Sequence, residues 1–483
     1  MRSPGTMDRA SSFGRRAFVV GLITLVGAAC GDGDRDDGGV ATTDSRAVIP
    51  DPVTTSVAAT APSTARPASS ISTITLPTTV VPTTRPATTT TVSTTTIPAP
   101  GLPSWTPATL LDGSDSDSPF GSPGISPRFA ASNAGAVALQ PTGLDAADAL
   151  THLWFSLDAL SWEPTGTITG ERWRSVVAGG PGFVAVGAAE TDLPGLVTPI
   201  GVLPRPVPVV WTSTDGRQWA PGTIDSAPFE FGEIDDVAVG GPGLIAVGEV
   251  WDADRLRGPA VWTSPDGLTW TVLPGDPLGI DREPSAMTVA AGDGGAVAIG
   301  LSTPVDAAGP GPTRAWWSAD GLGWERVADI DSFDDGSSPA EVVSFGSGFV
   351  MVGSRGARVA LAWSSPDGRT WTDPLVLPVR EVTDSTIVLG MGTDGSVLIA
   401  FGDDVVFGEG TEPATGEISV WMSLDGTVWE QVPPESLRND AMANGAGPLG
   451  LVRTQDGWTL LGRAVDPATD ATVGVAWFGR TVE

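Results

Sequence analysis

The sequence is nearly devoid of cysteine, histidine and tyrosine, which many enzymes use as nucleophiles and bases. Its 483 residues include one cysteine, one histidine and no tyrosine. A single cysteine excludes an intramolecular disulfide framework and a cysteine-based zinc site. A Ser-His-Asp triad would have to use His152, which we interpret as a structural or surface residue. A tyrosine nucleophile is impossible.

Positive charge is also scarce. The chain has 26 basic residues, none of them lysine, against 57 acidic residues, and its net charge is −31. Phosphate backbones repel such a chain, so nucleic acid is excluded as a partner. We expect no cofactor. Acidic residues that we predict in loops leave Ca²⁺ as one candidate ligand, although no spacing matches an EF-hand. They are Asp235 and Asp236, Asp331, Asp334 and Asp335, and Asp403 and Asp404.

Residues 1–29 are predicted to be an export signal. Arg15 and Arg16 precede the run AFVVGLITLVGAA, which is shorter than the roughly 20 residues that span a bilayer. The start resembles a twin-arginine signal, and the end GAAC resembles the lipobox of bacterial lipoproteins. This resemblance implies lipidation of Cys30 and an extracytoplasmic, membrane-anchored protein. The alternative is a plain secretory signal with an incidental Cys30.

Residues 30–103 are dominated by serine, threonine and proline, as in TTVVPTTRPATTTTVSTTTIPAP. Such a segment cannot bury enough apolar surface to fold, so we predict a disordered, extended linker. It would act as a stalk that holds residues 104–483 away from the membrane.

Residues 104–483 contain a repeat with a period of roughly 50 residues, which is typical of propeller blades. The complete copies are WFSLDALSW from Trp154, WTSTDGRQW from Trp211, WTSPDGLTW from Trp262, WWSADGLGW from Trp316, WSSPDGRTW from Trp363 and WMSLDGTVW from Trp421. A truncated seventh copy, WFGR, begins at Trp477. Each copy follows a hairpin pattern such as DVAVGGPGLIAVG, so each repeat predicts four short strands.

The Ser-x-Asp-Gly-x-x-Trp core resembles a shortened Asp box, the turn motif of BNR propellers such as sialidases. We predict that each aspartate is structural and accepts hydrogen bonds from backbone N–H groups of its own turn. These residues are Asp158, Asp215, Asp266, Asp320, Asp367 and Asp425. One such residue per blade keeps the carboxylates apart, which argues against paired catalysis by them.

The last repeat lacks its fourth strand, and the segment PSWTPATLL before the first repeat can supply it. Trp105 in this segment occupies the position of the second tryptophan of the signature. Pairing the two chain ends would close the ring and remove exposed strand edges. The predicted fold is therefore an all-β, seven-bladed β-propeller closed by an N-terminal strand, three strands plus one.

The loops opposite the Ser-x-Asp-Gly turns vary in length, and function on a repeat scaffold tends to lie there. Trp173 with Arg174, and Trp251 with Arg255 and Arg257, are predicted binding residues that should share this face. An aromatic ring beside arginine suits a sugar, a carboxylate or a protein hot spot. The alternative is loop packing by the aromatic rings, with solvated charges.

Two functions remain open. The first is a non-catalytic binding or scaffold module at the cell surface, with an extracytoplasmic protein or a cell-envelope glycan as ligand. The alternative is a glycoside hydrolase related to sialidases, which use a Tyr–Glu pair and an arginine triad. Because tyrosine is absent, loop carboxylates would have to replace that pair. Two carboxylates about 5–10 Å apart in the central funnel would favour hydrolysis.

Overall fold

A computed structural model of the chain describes most of residues 102–480. The described ranges are 102–111, 119–120, 126–142, 150–191, 196–198, 201–203, 206–225, 231–251, 257–274, 277–278, 284–302, 313–327, 333, 336–356, 358–379, 385–406, 415–438, 447–465 and 472–480. The predicted signal, Cys30 and the predicted linker up to residue 101 lie outside these ranges.

The described strands form seven blades in chain order, and one strand precedes them, β1 (Ser104–Leu110). Blade 1 contains β2 (Arg128–Ser132), β3 (Gly135–Thr142), β4 (Leu150–Ser156) and β5 (Glu163–Thr169). Blade 2 contains β6 (Glu171–Gly179), β7 (Gly182–Glu190), an inserted hairpin of β8 (Leu196–Thr198) and β9 (Gly201–Leu203), then β10 (Pro206–Ser213) and β11 (Ala220–Pro221). Blade 3 contains β12 (Thr223–Asp225), β13 (Phe231–Gly240), β14 (Gly243–Trp251), β15 (Arg257–Ser264) and β16 (Thr269–Val272).

The remaining blades follow the same plan. Blade 4 contains β17 (Pro284–Gly292), β18 (Gly295–Ser302), β19 (Thr313–Ser318) and β20 (Trp324–Arg326). Blade 5 contains β21 (Ser337–Phe345), β22 (Gly348–Arg355), β23 (Val359–Ser365) and β24 (Leu375–Val376). Blade 6 contains β25 (Ser385–Thr393), β26 (Leu398–Val406), β27 (Thr415–Ser423) and β28 (Glu430–Gln431), followed by α1 (Pro434–Leu437). Blade 7 contains β29 (Gly447–Thr454), β30 (Gly457–Val465) and β31 (Thr472–Arg480).

Strand β1 completes blade 7 and closes the ring, as the sequence predicts. It pairs antiparallel with β31, and Trp105 lies opposite Gly479. The Trp105 ring is buried, and its Nε1 lies 3.1 Å from the Met422 sulfur of blade 6. The chain is therefore a seven-bladed β-propeller with a three-plus-one closure. Within the described residues, no helix is long and apolar enough to cross a membrane.

Tryptophan fills the wedges between blades. The first tryptophan of the signature is almost completely inaccessible in six repeats: Trp154, Trp262, Trp316, Trp363, Trp421 and Trp477. Three of these rings donate Nε1–H to backbone carbonyls at 2.7–2.8 Å: Trp316 to Leu278, Trp421 to Pro378 and Trp477 to Leu437. Buried indoles with such partners supply the largest apolar surfaces of the core, because each removes 150–250 Å² from water, on the order of two aliphatic side chains.

The Ser-x-Asp-Gly turns are built from local hydrogen bonds. In the blade 3 turn, Asp266 Oδ1 accepts the N–H groups of Leu268 and Thr269 at 2.9 and 3.1 Å. Ser264 Oγ accepts the Gly267 N–H, and Trp270 Nε1 donates to the Gly267 carbonyl. These backbone hydrogen bonds lower the pKa of Asp266. The same accepted N–H pairs recur at Asp158, Asp215, Asp320, Asp367 and Asp425.

The left-handed glycine of this turn is replaced once. Ala159 takes its place in blade 1 and adopts a φ of 59°. An L-residue is strained in this region. The accepted N–H groups of Leu160 and Ser161 hold the turn in that conformation.

A β-bulge shapes the innermost strand of blades 2–7. The pairing shifts by one residue near the start of β6, β13, β17, β21, β25 and β29. The bulge pushes a carbonyl of the innermost strand against a glycine in the second strand. A Cβ at Gly187 would collide with the Arg172 carbonyl, and a Cβ at Gly402 with the Ile387 carbonyl. This close approach explains the glycine that ends each second-strand pattern, as in VAVG and IAFG.

Candidate functional site at the channel mouth

The innermost strands of the seven blades surround the axis of the propeller. Each of them begins at the face that carries the variable connections and ends at the tight hairpin beside the Ser-x-Asp-Gly turns. We call the first of these faces the loop face and the second the turn face. The bulges lie near the loop face, so they set the shape of the channel mouth there.

One residue per blade lies at the same level of the channel. In blades 2–7, each pairs with the second-strand residue that directly precedes the repeated glycine. In blade 1, Gln140 stands in place of that glycine, and Arg128 pairs with Leu139 before it. These seven residues, the axial ring, are Arg128, Ser175, Asp236, Thr288, Glu341, Gly390 and Gly450. The five with side chains are polar and partly exposed, so the channel is polar at this level.

Asp236 joins three blades within the axial ring. Its Oδ2 accepts the Val289 N–H and the Thr288 Oγ1–H, both at 2.9 Å, and its Oδ1 accepts the Val237 N–H at 2.8 Å. A further hydrogen bond comes from the Ser175 side chain. Burial raises the pKa of Asp236, and these four donors oppose that effect because they favour the carboxylate form.

Arg128 and Glu341 face Asp236 across the ring. Burial raises the pKa of Glu341 well above its usual range, and the charge of Asp236 adds to that effect. Arg128 interacts electrostatically with both acids. Its Nε–H donates to the Arg174 carbonyl at 2.6 Å, which connects the ring to the residues above it.

Above the ring, five ionisable residues of blades 2 and 3 form what we call the mouth cluster: Arg172, Arg174, Glu233, Asp235 and Glu249. Glu233 and Glu249 are directly opposite each other on β13 and β14, and both are buried. Glu233 forms an ion pair with Arg174, and its Oε2 lies 3.7 Å from Arg172. Two guanidinium groups from blade 2 therefore hold a buried carboxylate of blade 3.

Asp235 is the bulge residue of β13 and is partly exposed to the channel. Burial raises its pKa to about 8, and the charges of Glu233 and Glu249 add to the shift. The backbone N–H of Met287 in blade 4 donates to its carboxyl group. At neutral pH, Asp235 is therefore a protonated acid at the channel mouth.

The two aspartates are anchored to the same neighbouring strand. Asp235 is bound by the N–H of Met287 and Asp236 by the N–H of Val289, two residues further along β17. A strand rises about 3.3 Å per residue, so these two anchors are roughly 6.6 Å apart. The site thus presents two neighbouring carboxyl groups that are bound by alternate residues of one strand. Burial and nearby negative charge raise the pKa of Asp235 to about 8, whereas four hydrogen-bond donors oppose the effect of burial on Asp236.

The structure describes the predicted binding residues only in part, and Trp173 and Arg174 lie in different environments. Trp173 is 3% exposed and packs edge-on against Trp211, with ring centroids 6.3 Å apart, so its ring belongs to the core. Arg174 lies in the mouth cluster. Trp251 ends β14 opposite Phe231 and Arg257, and the side chains of Trp251 and Arg257 are outside the described part. Arg255 lies wholly outside it.

Residues of both predicted groups do share the loop face, since β6 begins and β14 ends there.

The sequence did not single out Arg128, Glu233, Glu249 or Glu341. The available signal was charge inside a strand pattern, as in FGEIDDVAVG, whereas the corresponding strand of blade 6, STIVLGMGT, has no charged residue. The prediction that Asp235–Asp236 and Asp403–Asp404 lie in loops was wrong. Both pairs lie in strands, β13 and β26, because the strands extend further toward the loop face than the hydrophobic pattern does.

In the described part of the chain, no group of three or more histidine, cysteine or acidic side chains is placed to hold a metal ion. Of the other acidic residues considered for Ca²⁺, Asp331, Asp334 and Asp335 lie outside the described ranges. Calcium binding there stays a prediction.

Comparisons with known proteins give structural neighbours only. No family model matches the chain, and no curated protein matches it in sequence. An α-L-arabinofuranosidase from Fusarium graminearum aligns with 13% identity over 66% of this chain and 97% of its own, with a TM-score of 0.40. A Trypanosoma rangeli sialidase aligns with 14% identity over 66% of this chain and 56% of its own, with a TM-score of 0.38. The phage phi92 endosialidase aligns with 10% identity over 79% of this chain and 70% of its own, with a TM-score of 0.43.

The order of the seven sheets and their closure by β1 identify the propeller fold.

Proposed function

We propose that the protein hydrolyses a glycosidic bond at the loop-face mouth of its channel, with Asp235 as general acid and Asp236 as general base. The observation that supports this proposal is the pair of carboxyl groups anchored on Met287 and Val289 in different protonation environments. Glycoside hydrolysis needs two carboxyl groups with different environments and a fixed separation.

Each group suits one half of the reaction. Asp235 donates its proton to the leaving oxygen as the glycosidic bond breaks. Asp236 accepts a proton from a water molecule whose oxygen forms the new bond to the anomeric carbon. A separation of about 6.5–9.5 Å leaves room for that water and leads to inversion at the anomeric carbon. No tyrosine is required, in agreement with the composition.

The remaining acids of the mouth cluster act through Asp235. Glu233 and Glu249 are 6% and 4% exposed, so they lie behind Asp235 rather than against a ligand. Their negative charge helps to keep the proton on Asp235. Arg174 fixes the position of Glu233 and so of the charge that Asp235 experiences. We therefore assign Glu233, Glu249 and Arg174 as positioning residues.

This proposal favours the alternative of the sequence analysis over the non-catalytic binding module. The two carboxyl groups of Asp235 and Asp236, both partly exposed at the channel mouth, support hydrolysis. A binding module would use the same face. Its hallmark would be affinity for a glycan or protein without turnover.

The test is hydrolysis of a panel of aryl glycosides by the full chain, compared with Asp235→Asn and Asp236→Asn. Asp293→Asn, at an exposed hairpin of the turn face, is the matched control. We expect each site variant to lower kcat/KM by 10²–10⁴-fold, the usual contribution of general acid–base catalysis, and the control to match the parent. Equal activity of all four proteins, or binding of a glycoside without turnover, would reject the assignment.

We further propose that the mature chain begins at a lipidated Cys30 and that residues 30–103 hold the propeller away from the membrane. The lipobox-like GAAC end and the Ser/Thr/Pro composition support this proposal. Mass spectrometry of the mature N-terminus tests it, and a free, unmodified N-terminus elsewhere would contradict it.

The Ser-x-Asp-Gly turns fit a shortened form of the Asp box, since each aspartate accepts two backbone N–H groups of its own turn.

A further inference from the structure

The bulge residues above the axial ring are charged on one side of the axis and apolar on the other. In five blades, the unpaired bulge residue directly precedes the ring residue. Blades 2 and 3 place Arg174 and Asp235 there, whereas blades 5, 6 and 7 place Ala340, Leu389 and Leu449. The mouth therefore has a charged arc and, across the axis, an apolar arc.

Leu389 is the most exposed member of the apolar arc. Its side chain is 42% exposed in the middle of β25, between residues that are buried. An innermost strand has blades packed on both of its faces and the second strand along one edge. A side chain exposed in its middle therefore opens to the channel. Leu449 is partly exposed at the equivalent position of blade 7.

The ring residues below the apolar arc in blades 6 and 7 are glycines. A Cβ at Gly390 would meet the Phe401 ring at 2.7 Å, and a Cβ at Gly450 would also clash with the Phe129 ring. No polar side chain can therefore reach up from the ring beneath Leu389 or Leu449. The apolar arc has no hydrogen-bonding group of its own at ring level in these two blades.

We propose that the ligand of the mouth is an uncharged glycoside whose apolar aglycone or substituent lies against Leu389 and Leu449 while its hydroxyl groups face Asp235 and Asp236. This inference rests on the proposed function for the identity of the ligand as a glycoside. Burial of exposed leucine surface stabilises the complex in proportion to the apolar area covered. Hydroxyl groups satisfy the carboxyl groups opposite.

The arrangement of a charged arc and an apolar arc around the mouth also argues against acidic sugars as ligands. A ligand carboxylate at the mouth would lie near Asp236 and the buried Glu233 and Glu249. Of the arginines there, Arg172 lies 3.7 Å from Glu233 and Arg128 donates to the Arg174 carbonyl. Arg174, the bulge arginine, is already paired with Glu233. The net charge of −31 adds long-range repulsion for an anion. Uronides and other carboxylate-bearing glycosides should therefore bind more weakly than uncharged ones.

The experiment measures binding by calorimetry, so that it does not depend on turnover. The probes are phenyl and methyl glycosides of glucose, galactose, xylose and arabinose, together with phenyl glucuronide, and the proteins are the full-length parent, Leu389→Ser and Leu389→Met. Leu157→Ser, on the turn face and 74% exposed, is the control. For the sugar that binds best, we expect the phenyl glycoside to bind about tenfold more tightly than the methyl glycoside.

We expect Leu389→Ser to abolish that difference, whereas Leu389→Met and Leu157→Ser retain it. The glucuronide should bind at least tenfold more weakly than phenyl glucoside. These binding results would support the inference even if no glycoside is hydrolysed, in which case only the proposed catalysis fails. Equal affinity of phenyl and methyl glycosides, a preference that survives Leu389→Ser, tighter binding of the glucuronide, or no binding at all would overturn it.

Discussion

On the turn face, blades 2–6 repeat the same contacts, with one aspartate accepting two backbone N–H groups and one indole donating to the turn carbonyl. On the loop face, the residues at equivalent positions range from Arg128 and Asp236 to Gly390 and Gly450. Both faces are built from the same strands. The difference indicates that the repeated residues build the ring and that the residues which break the repeat carry its chemistry.

The acids of the two faces differ in the same way. Hydrogen bonds from backbone N–H groups lower the pKa of turn-face aspartates such as Asp215 and Asp320. Burial raises the pKa of Asp235 and Asp236 at the mouth. Turn-face aspartates are thus stabilised as carboxylates, whereas burial favours the neutral form of Asp235 at the mouth. Variants on one face should change stability, and variants on the other should change activity.

The largest expected effect is on the stereochemistry and rate of hydrolysis at the mouth. Because the two carboxyl anchors are roughly 6.6 Å apart on β17, we expect inversion at the anomeric carbon, with loss of 10²–10⁴-fold in kcat/KM on Asp235→Asn. Proton NMR of the first sugar anomer released measures the outcome. Net retention would show that the two carboxyl groups are not used as proposed.

The next effect is on folding and concerns the repeated indoles. Trp421→Ala should lower the free energy of unfolding by about 3–5 kcal/mol, because it leaves a cavity between blades and removes the Nε1–H donor to Pro378. Denaturant unfolding checks the value. At temperatures where the variant is folded, its kcat/KM should equal that of the parent. A specific loss of activity would contradict the view that the repeated residues affect stability and the mouth residues affect activity.

The pH dependence of stability should have opposite signs on the two faces. The folded-state pKa of Asp235 is raised from 3.8 to about 8, so the folded state binds the proton more tightly than the unfolded state. Its contribution is therefore favourable at low pH and is lost as the pH rises through about 8. We expect Asp235→Asn to raise Tm by a few degrees at pH 8.5 and to leave it unchanged near pH 4.

Asp425→Asn is the turn-face counterpart. The Val428 and Thr427 N–H groups lower the folded pKa of Asp425, so its contribution is present above the unfolded pKa and is lost as the pH falls through the folded pKa. The variant should therefore lower Tm at pH 7 and match the parent in strong acid. Thermal unfolding across pH 2–9 compares the two variants directly. The same sign of pH dependence for both would contradict the assigned environments.

The smallest expected effect on stability concerns two contacts between neighbouring blades on the turn face. Arg217 of blade 2 stacks 3.7 Å from the Phe155 ring centroid of blade 1 and pairs with Glu163 at 2.7 Å. Arg369 of blade 5 repeats this arrangement on Trp317 of blade 4. Replacing either arginine with methionine should cost about 0.5–1 kcal/mol and leave activity unchanged, since these groups are exposed. A double-mutant cycle of Arg217 with Phe155 measures the stacking term.

The sequence predicts the propeller fold because each blade carries the repeated pattern in its own residues. The aspartate, the left-handed glycine and the two tryptophans are local signals that recur, and Trp105 matches them closely enough to identify the closing strand. The lengths of the strands toward the loop face were less predictable. Asp235 and Asp236 lie in β13, whose pairing with β14 contains a bulge at Asp235. A bulge depends on the pairing of two strands, which no local sequence pattern specifies.

The site was only partly predictable for the same reason. Arg174 was noted from its place beside an aromatic residue at the start of an innermost strand, but Trp173 beside it is a core residue. The partner of Arg174, Glu233, lies in the next blade, and Asp236 meets Val289 in the blade after that. Contacts between blades follow from ring closure, so a single sequence cannot assign them residue by residue.

The central claim is that Asp235 remains protonated at neutral pH while the repeated aspartates do not. Carbon-13 NMR of the full chain labelled at aspartate carboxyl carbons, with Asp235→Asn to assign the resonance, measures this directly. We expect a titration midpoint near pH 8 for Asp235 and midpoints below the ordinary aspartate value for the turn-face aspartates. A midpoint near 4 for Asp235 would contradict it.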